Sequence, residues 1–194
     1  MSTILNLNKN AGILNLTKAA PALKILKGIL SWDPSPIHKA SLTEGFDLDI
    51  FAFVLDANQK ITSGNDVVYF NNKFLPSNAV SIPRDNRTGE GDGDDEEILI
   101  EYSKMPSDKK FIDIYVFIHE ADKRKQTFGL MQNASFELVD ADTGKSIQKY
   151  NISQYTSETA LHVGRVEQTV DGLVFAPYGD VATLDPETVA GTYI

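Results

Sequence analysis

Cysteine is absent from the 194-residue chain, which removes disulfides, thiolate metal sites and cysteine nucleophiles together. Long apolar runs are absent too: no stretch approaches the roughly eighteen residues that a membrane-spanning helix needs. The opening, MSTILNLNKN, lacks a basic segment followed by an apolar one and does not read as a secretory signal. The expected location is therefore the cytoplasm. Histidine is scarce, at His38, His119 and His162, and no His-Glu-x-x-His pairing offers a hydrolytic zinc site. No Gly-x-Ser-x-Gly nucleophile elbow occurs. Thr143-Gly144-Lys145-Ser146 resembles the end of a phosphate loop, but Val139 stands where that loop needs glycine, and the run VDADTGKS reads as an acidic hairpin turn. These absences point away from an enzyme.

Positive charge is also short. Lysine and arginine number 18 against 27 aspartates and glutamates, a net charge of −9. The imbalance is concentrated. Between Arg84 and Glu97 lie seven carboxylates and two arginines, a local charge of −5, over half of the excess. Such a segment repels phosphate backbones and attracts cations, so direct nucleic-acid binding is not expected. The length, with 42% hydrophobic residues, suits one domain over residues 1–194 that buries a core without staples.

What recurs along the chain is short β-rich segments between turn residues. Phe46–Leu55 (FDLDIFAFVL) begins with alternation and becomes continuously apolar, as a central strand covered on both faces would. Phe111–His119 is the clearest case: Ile112, Ile114, Val116 and Ile118 share one face, Asp113, Tyr115, Phe117 and His119 the other. Asp66–Phe70, Glu97–Tyr102, Ala134–Val139, Ser146–Asn151, Leu161–Gln168 and Gly172–Pro177 continue the pattern, with turns at Asp142-Thr143-Gly144 and Asp171-Gly172. In Ala19–Leu30 helix and strand compete, and Pro21 and Gly28 favour strand. Asp185-Pro186-Glu187 signals a short helix near the end. The expected fold class is all-β, a two-sheet antiparallel sandwich. Trp32 is expected in the core or at its rim.

The segment RDNRTGEGDGDDEE, residues 84–97, carries the one concentrated chemistry. Ca²⁺ takes about six to eight oxygen ligands from carboxylates, amides and carbonyls. Here stand Asp85, Glu90, Asp92, Asp94, Asp95 and Glu96, the amide of Asn86 and the hydroxyl of Thr88, with Gly89, Gly91 and Gly93 letting the backbone bend. A solvated acidic loop is the plain alternative. The spacing is not that of an EF-hand. Asp47 and Asp49 form a second candidate, since alternate residues of a strand share a face; a solvent-exposed strand end is the other reading. His119 is expected as a surface or capping residue, with a place near the acidic loop as the other reading.

These residues resemble the TerD family of tellurite-resistance and stress-response proteins. DNRTGEGDGDDEEI at Asp85–Ile98, FDLD at Phe46–Asp49 and QTFGLMQNA at Gln126–Ala134 carry the resemblance, with Ser31-Trp32-Asp33, Asp66, Tyr69-Phe70-Asn71-Asn72 and Ile118-His119-Glu120-Ala121 in order between them. It runs from about Leu5 to the C-terminal strands. The resemblance implies a β-sandwich with calcium-binding loops at one end and no established catalysis. The implied ligands are Asp47, Asp49, Asp85, Asn86, Thr88, Glu90, Asp92, Asp94, Asp95 and Glu96. It further implies a calcium-dependent scaffold that works through protein partners, other stress-response proteins among them, in the cytoplasm and at most peripheral at the inner membrane. Bound Ca²⁺ would order the loop and present a new surface; a permanently bound structural calcium is the alternative. Arg84 and Ser31 stand where the family usually has glycine.

Overall fold

The computed structural model describes residues 4–34, 46–84 and 95–194. Along these residues run β1 (Ile4–Asn6), β2 (Leu14–Asn15), α1 (Leu16–Ala19), β3 (Leu26–Pro34), β4 (Leu48–Asp56), β5 (Val67–Val68), β6 (Val80–Arg84) and β7 (Glu96–Ile100). There follow β8 (Lys109–Ile118), α2 (Ala121–Arg124), β9 (Met131–Asp140), β10 (Lys145–Asn151), β11 (Ala160–Thr169), β12 (Gly172–Ala182) and α3 (Pro186–Thr192). One sheet has the order β1-β10-β9-β3-β7-β6, the other β2-β12-β11-β8-β4-β5. Every pairing is antiparallel except β1 with β10. The all-β, two-sheet reading holds.

The alternation in β8 does what the side-chain period of two requires. Ile112, Ile114, Val116 and Ile118 enter the main core, and Phe111 and Phe117 enter a second cluster with Phe51, Phe53, Leu55, Ala160 and Val189. β4 is apolar throughout because it is covered twice. Ile50, Ala52 and Val54 contribute to the main core, whereas Phe51, Phe53 and Leu55 contribute to the aromatic cluster on the other face. α3 closes over that face: Asp185 caps it by accepting from the Thr188 N–H at 2.7 Å, and Val189 is buried.

Two expectations shrink. The strand foreseen from Ala19 begins only at Leu26, because Asn15 accepts from the Lys18 N–H at 2.8 Å and caps one helical turn at Leu16–Ala19. Gly28 lies inside that strand, and a Cβ there would meet Phe136 Cζ at 2.6 Å and Ile98 Cγ2 at 2.8 Å. The strand foreseen over Asp66–Phe70 is only Val67–Val68. Asp66 is drawn instead into a capped 3-10 turn, its carboxylate accepting from the N–H groups of Thr62 and Ser63.

Candidate functional site

One end of the sandwich gathers backbone from both sheets around carboxylates. Trp32, at the end of β3, donates its backbone N–H to Asp95 Oδ2 at 3.0 Å and its indole N–H to the Phe46 carbonyl at 3.1 Å. Asp95 donates its own N–H to the Leu30 carbonyl. Its neighbour Glu96, the first residue of β7, reaches across to the opposite sheet and accepts from the Ile50 N–H at 2.6 Å. The His119 N–H donates to the Asp47 carbonyl at 2.9 Å, holding the chain beyond β8 beside the chain before β4. Backbone bonds therefore fix all of these positions.

Asp47, Asp49 and Asp95 are each 4% exposed and Glu96 only 1%. Burial of this degree is unusual for carboxylates unless hydrogen-bond donors or a cation face them. Asp47, Asp49 and His119 each offer one ligand atom, all within 4.8 Å of one another, a separation one metal ion can bridge. His119 Nδ1 lies 2.9 Å from Asp49 Oδ2.

The structure thus brings Asp47 and Asp49 together and places Asp95 and Glu96 at the same end of the sandwich. Asp47 and Asp49 are not a solvent-exposed strand end. Asp85, Asn86, Thr88, Glu90, Asp92 and Asp94 lie outside the described residues; the segment that holds them joins β6 to Asp95. His119 is half-buried at the surface and has a specific contact besides. It is a partner of Asp49, and its ring also packs edge-on against Phe70 at 5.4 Å. Its position one residue beyond β8, on the Phe117 face, was the available signal. Trp32, 2% exposed, sits in the core as expected.

A second polar cluster lies on the outer face of the β8 sheet. Asp113 is fully buried, and Arg165 grips it with Nε at 2.6 Å and Nη2 at 2.8 Å, while the Tyr193 hydroxyl donates to it at 2.7 Å. Burial pushes the Asp113 carboxyl up, but Arg165, His162 and Tyr193 outweigh it and hold the group at about 2. Burial and the Asp113 charge push the Tyr193 phenol up. His162 stacks on Tyr115 at 4.1 Å, its Nε2 3.8 Å from Asp113 Oδ1. The alternation of β8 gave Asp113 its face and no hint of a partner.

A model of the TerD domain matches residues 3–186. The chain belongs to the TerD family. It is 38% identical over 158 residues to a tellurium resistance protein TerD of Serratia marcescens, covering 80% of this chain and 79% of that one. It is 34% identical over 155 residues to general stress protein 16U of Bacillus subtilis, covering 79% and 78%. A crystal structure of a TerD homologue from Streptomyces coelicolor superposes with a TM-score of 0.71 at 24% identity, over 87% of this chain and 96% of that one. That likeness supports the sandwich. The TerD relatives carry the names of resistance and stress proteins. Among the described residues no helix is long and apolar enough to cross a membrane.

Proposed function

We propose that this TerD-family chain is a calcium-binding, non-catalytic module of tellurium resistance and related stress responses, working as a calcium-dependent scaffold for protein partners. One observation carries the reading: the buried Asp47 and Asp49 converge with His119 within 4.8 Å at the end of the sandwich where Asp95 and Glu96 close the acidic segment. The two carboxylates suit Ca²⁺, which prefers carboxylate and carbonyl oxygen. Asp47, Asp49, Asp95 and Glu96 would hold the ion together with Asp85, Asn86, Thr88, Glu90, Asp92 and Asp94 of the acidic segment. His119, bonded to Asp49, orients that carboxylate in the way outer-shell partners do. Bound calcium supplies positive charge that cancels the mutual repulsion of these groups. The protein works in the cytoplasm, at most peripheral at the inner membrane.

The test is calorimetric titration of chelator-stripped protein with Ca²⁺, with Mg²⁺ as competitor. Calcium-selective binding at micromolar Kd or tighter is the expected result; no heat and no melting shift would return the acidic segment to plain solvation. The same titration separates a sensor, with Kd of about 10⁻⁷–10⁻⁵ M, from a tighter site that is permanently filled and structural.

A further inference from the structure

A cleft of about 750 Å³ opens on the outer face of the β8 sheet, between α2 and the segment that leads into α3. That is the size of a small-molecule site. Its floor is aromatic. Phe51 stacks on Tyr69 at 5.0 Å and meets Phe117 edge-on at 5.1 Å, and Tyr69 meets Phe70 edge-on at 5.2 Å. Phe51 and Phe117 are buried, whereas Tyr69 and Phe70 are only half-buried. The rim is acidic. Glu120 and Asp122 stand on the α2 side, Asp185 and Glu187 on the α3 side, all four exposed. The lining has a single lysine, Lys123, and it is paired with Glu120 at 2.9 Å.

Exposed carboxylates alone would bind any cation weakly. Half-buried aromatic rings with carboxylates on two sides select a cation with an apolar surface, because the ring quadrupole attracts an alkylammonium that it can also desolvate. We infer that this cleft binds a free alkylammonium cation of the polyamine type, its methylenes on Tyr69 and Phe70 and its nitrogens facing Asp122 and Glu187. Enclosure on both sides, by α2 and by the chain entering α3, suits a free small molecule better than a lysine side chain on a protein surface. Asp49 and His119 also line the cleft, so it adjoins the candidate metal site; the inference gives neither a role and does not rest on the calcium reading.

The experiment is calorimetric titration with spermidine in the presence of chelator, so that failure of calcium binding leaves its outcome unaffected. Saturable one-site binding is expected, with Mg²⁺ at equal charge a poor competitor. Asp122→Asn with Glu187→Gln weakens it about tenfold, and Tyr69→Leu, which keeps apolar bulk and removes the ring, weakens it about threefold or more. No saturable heat, ready displacement by Mg²⁺, or unchanged affinity in Tyr69→Leu would overturn the assignment. So would tighter binding of a blocked Gly-Lys-Gly peptide than of spermidine. Should either variant fail to fold, chemical-shift mapping of the wild-type protein decides. The ring protons of Tyr69 and Phe70 move on addition of spermidine if the site is real, and stay fixed if it is not.

Discussion

Buried carboxylates are handled differently at the end of the sandwich and on its outer face. On the outer face long basic side chains meet them: Arg165 grips Asp113 with two nitrogens, and Lys109 meets Asp66 at 2.5 Å with both side chains nearly buried. At the end, Trp32 and Ile50 present backbone N–H groups to Asp95 and Glu96, and Asp47 and Asp49 converge with His119. A side-chain counter-ion is permanent and makes stability indifferent to the medium's cations. On the calcium reading proposed above, stability at the Asp47–Asp49 end depends in addition on the cation the medium offers. The two regions should therefore separate cleanly in their response to calcium, to pH and to substitution.

The largest effect is expected where the fixed pair is broken. Arg165→Met keeps much of the arginine stem's packing but leaves Asp113 fully buried without its guanidinium, and losing one partner of a buried pair costs about 3–5 kcal/mol. Urea denaturation should show this loss equally with and without calcium. A loss under about 1 kcal/mol would mean that Asp113 finds another partner and that the pair is not the anchor of this face.

Calcium comes next. At a hundredfold excess over Kd, ligand binding stabilises the folded state by about 2.7 kcal/mol. Asp47→Asn with Asp49→Asn should abolish that increment, whatever the loss of the Asp49–His119 contact does to the calcium-free melting temperature. Thermal scans in chelator and in excess calcium measure both quantities. An undiminished calcium shift would place the ion wholly on the acidic segment and dissolve the contrast drawn for Asp47 and Asp49.

Acid tests the Asp113 pair. Asp113 titrates at about 2 in the folded protein, below the ordinary 3.8. Its stabilisation is fully present above that ordinary value and is lost as pH falls towards 2. The difference amounts to about 2 kcal/mol. Asp66 is lowered as well: burial pushes it up, but Lys109 and the Thr62 donors outweigh it, so it acts in the same direction. Urea midpoints between pH 4 and pH 2 should fall in the parent and fall less in Arg165→Met. Equal slopes would show that other carboxylates dominate.

How much of this was legible depended on whether a signal was local. The period of two in Ile112, Ile114, Val116 and Ile118 decides a face from sequence alone, and Asp185-Pro186 starts a helix through a cap its own neighbours complete. Asp47 and Asp49 could be singled out because two carboxylates in an apolar strand need a reason. Their partner His119 lies 70 positions from Asp49, and only the register of β4 against β8, with Asp49 opposite Phe117, brings it near. Arg165 reaches Asp113 in the same way, through the pairing of β11 with β8. Pairing register is a property of the whole sheet, and no local pattern encodes which charges it brings together.

Tyr193 offers the smallest test and the most specific one. The chain past α3 is tied down by the Ile61 N–H on the Tyr193 carbonyl at 2.8 Å and by Lys60 Nζ on the Ile194 carbonyl at 2.6 Å. The Tyr193 ring lies 5.3 Å from that of Phe53. Tyr193→Phe leaves all of these contacts and removes only the hydroxyl that donates to Asp113 and lies 3.1 Å from Tyr115 Oη. A hydrogen bond to a charged acceptor contributes about 1.5–3 kcal/mol. Arg165 still holds both carboxylate oxygens, so the loss should fall near the lower figure. Because the hydroxyl serves Asp113 and not the Asp47–Asp49 end, any calcium increment should be unchanged in this variant. A loss that appears only in calcium would instead couple α3 to the other end of the sheet, and the two regions would have to be treated as one.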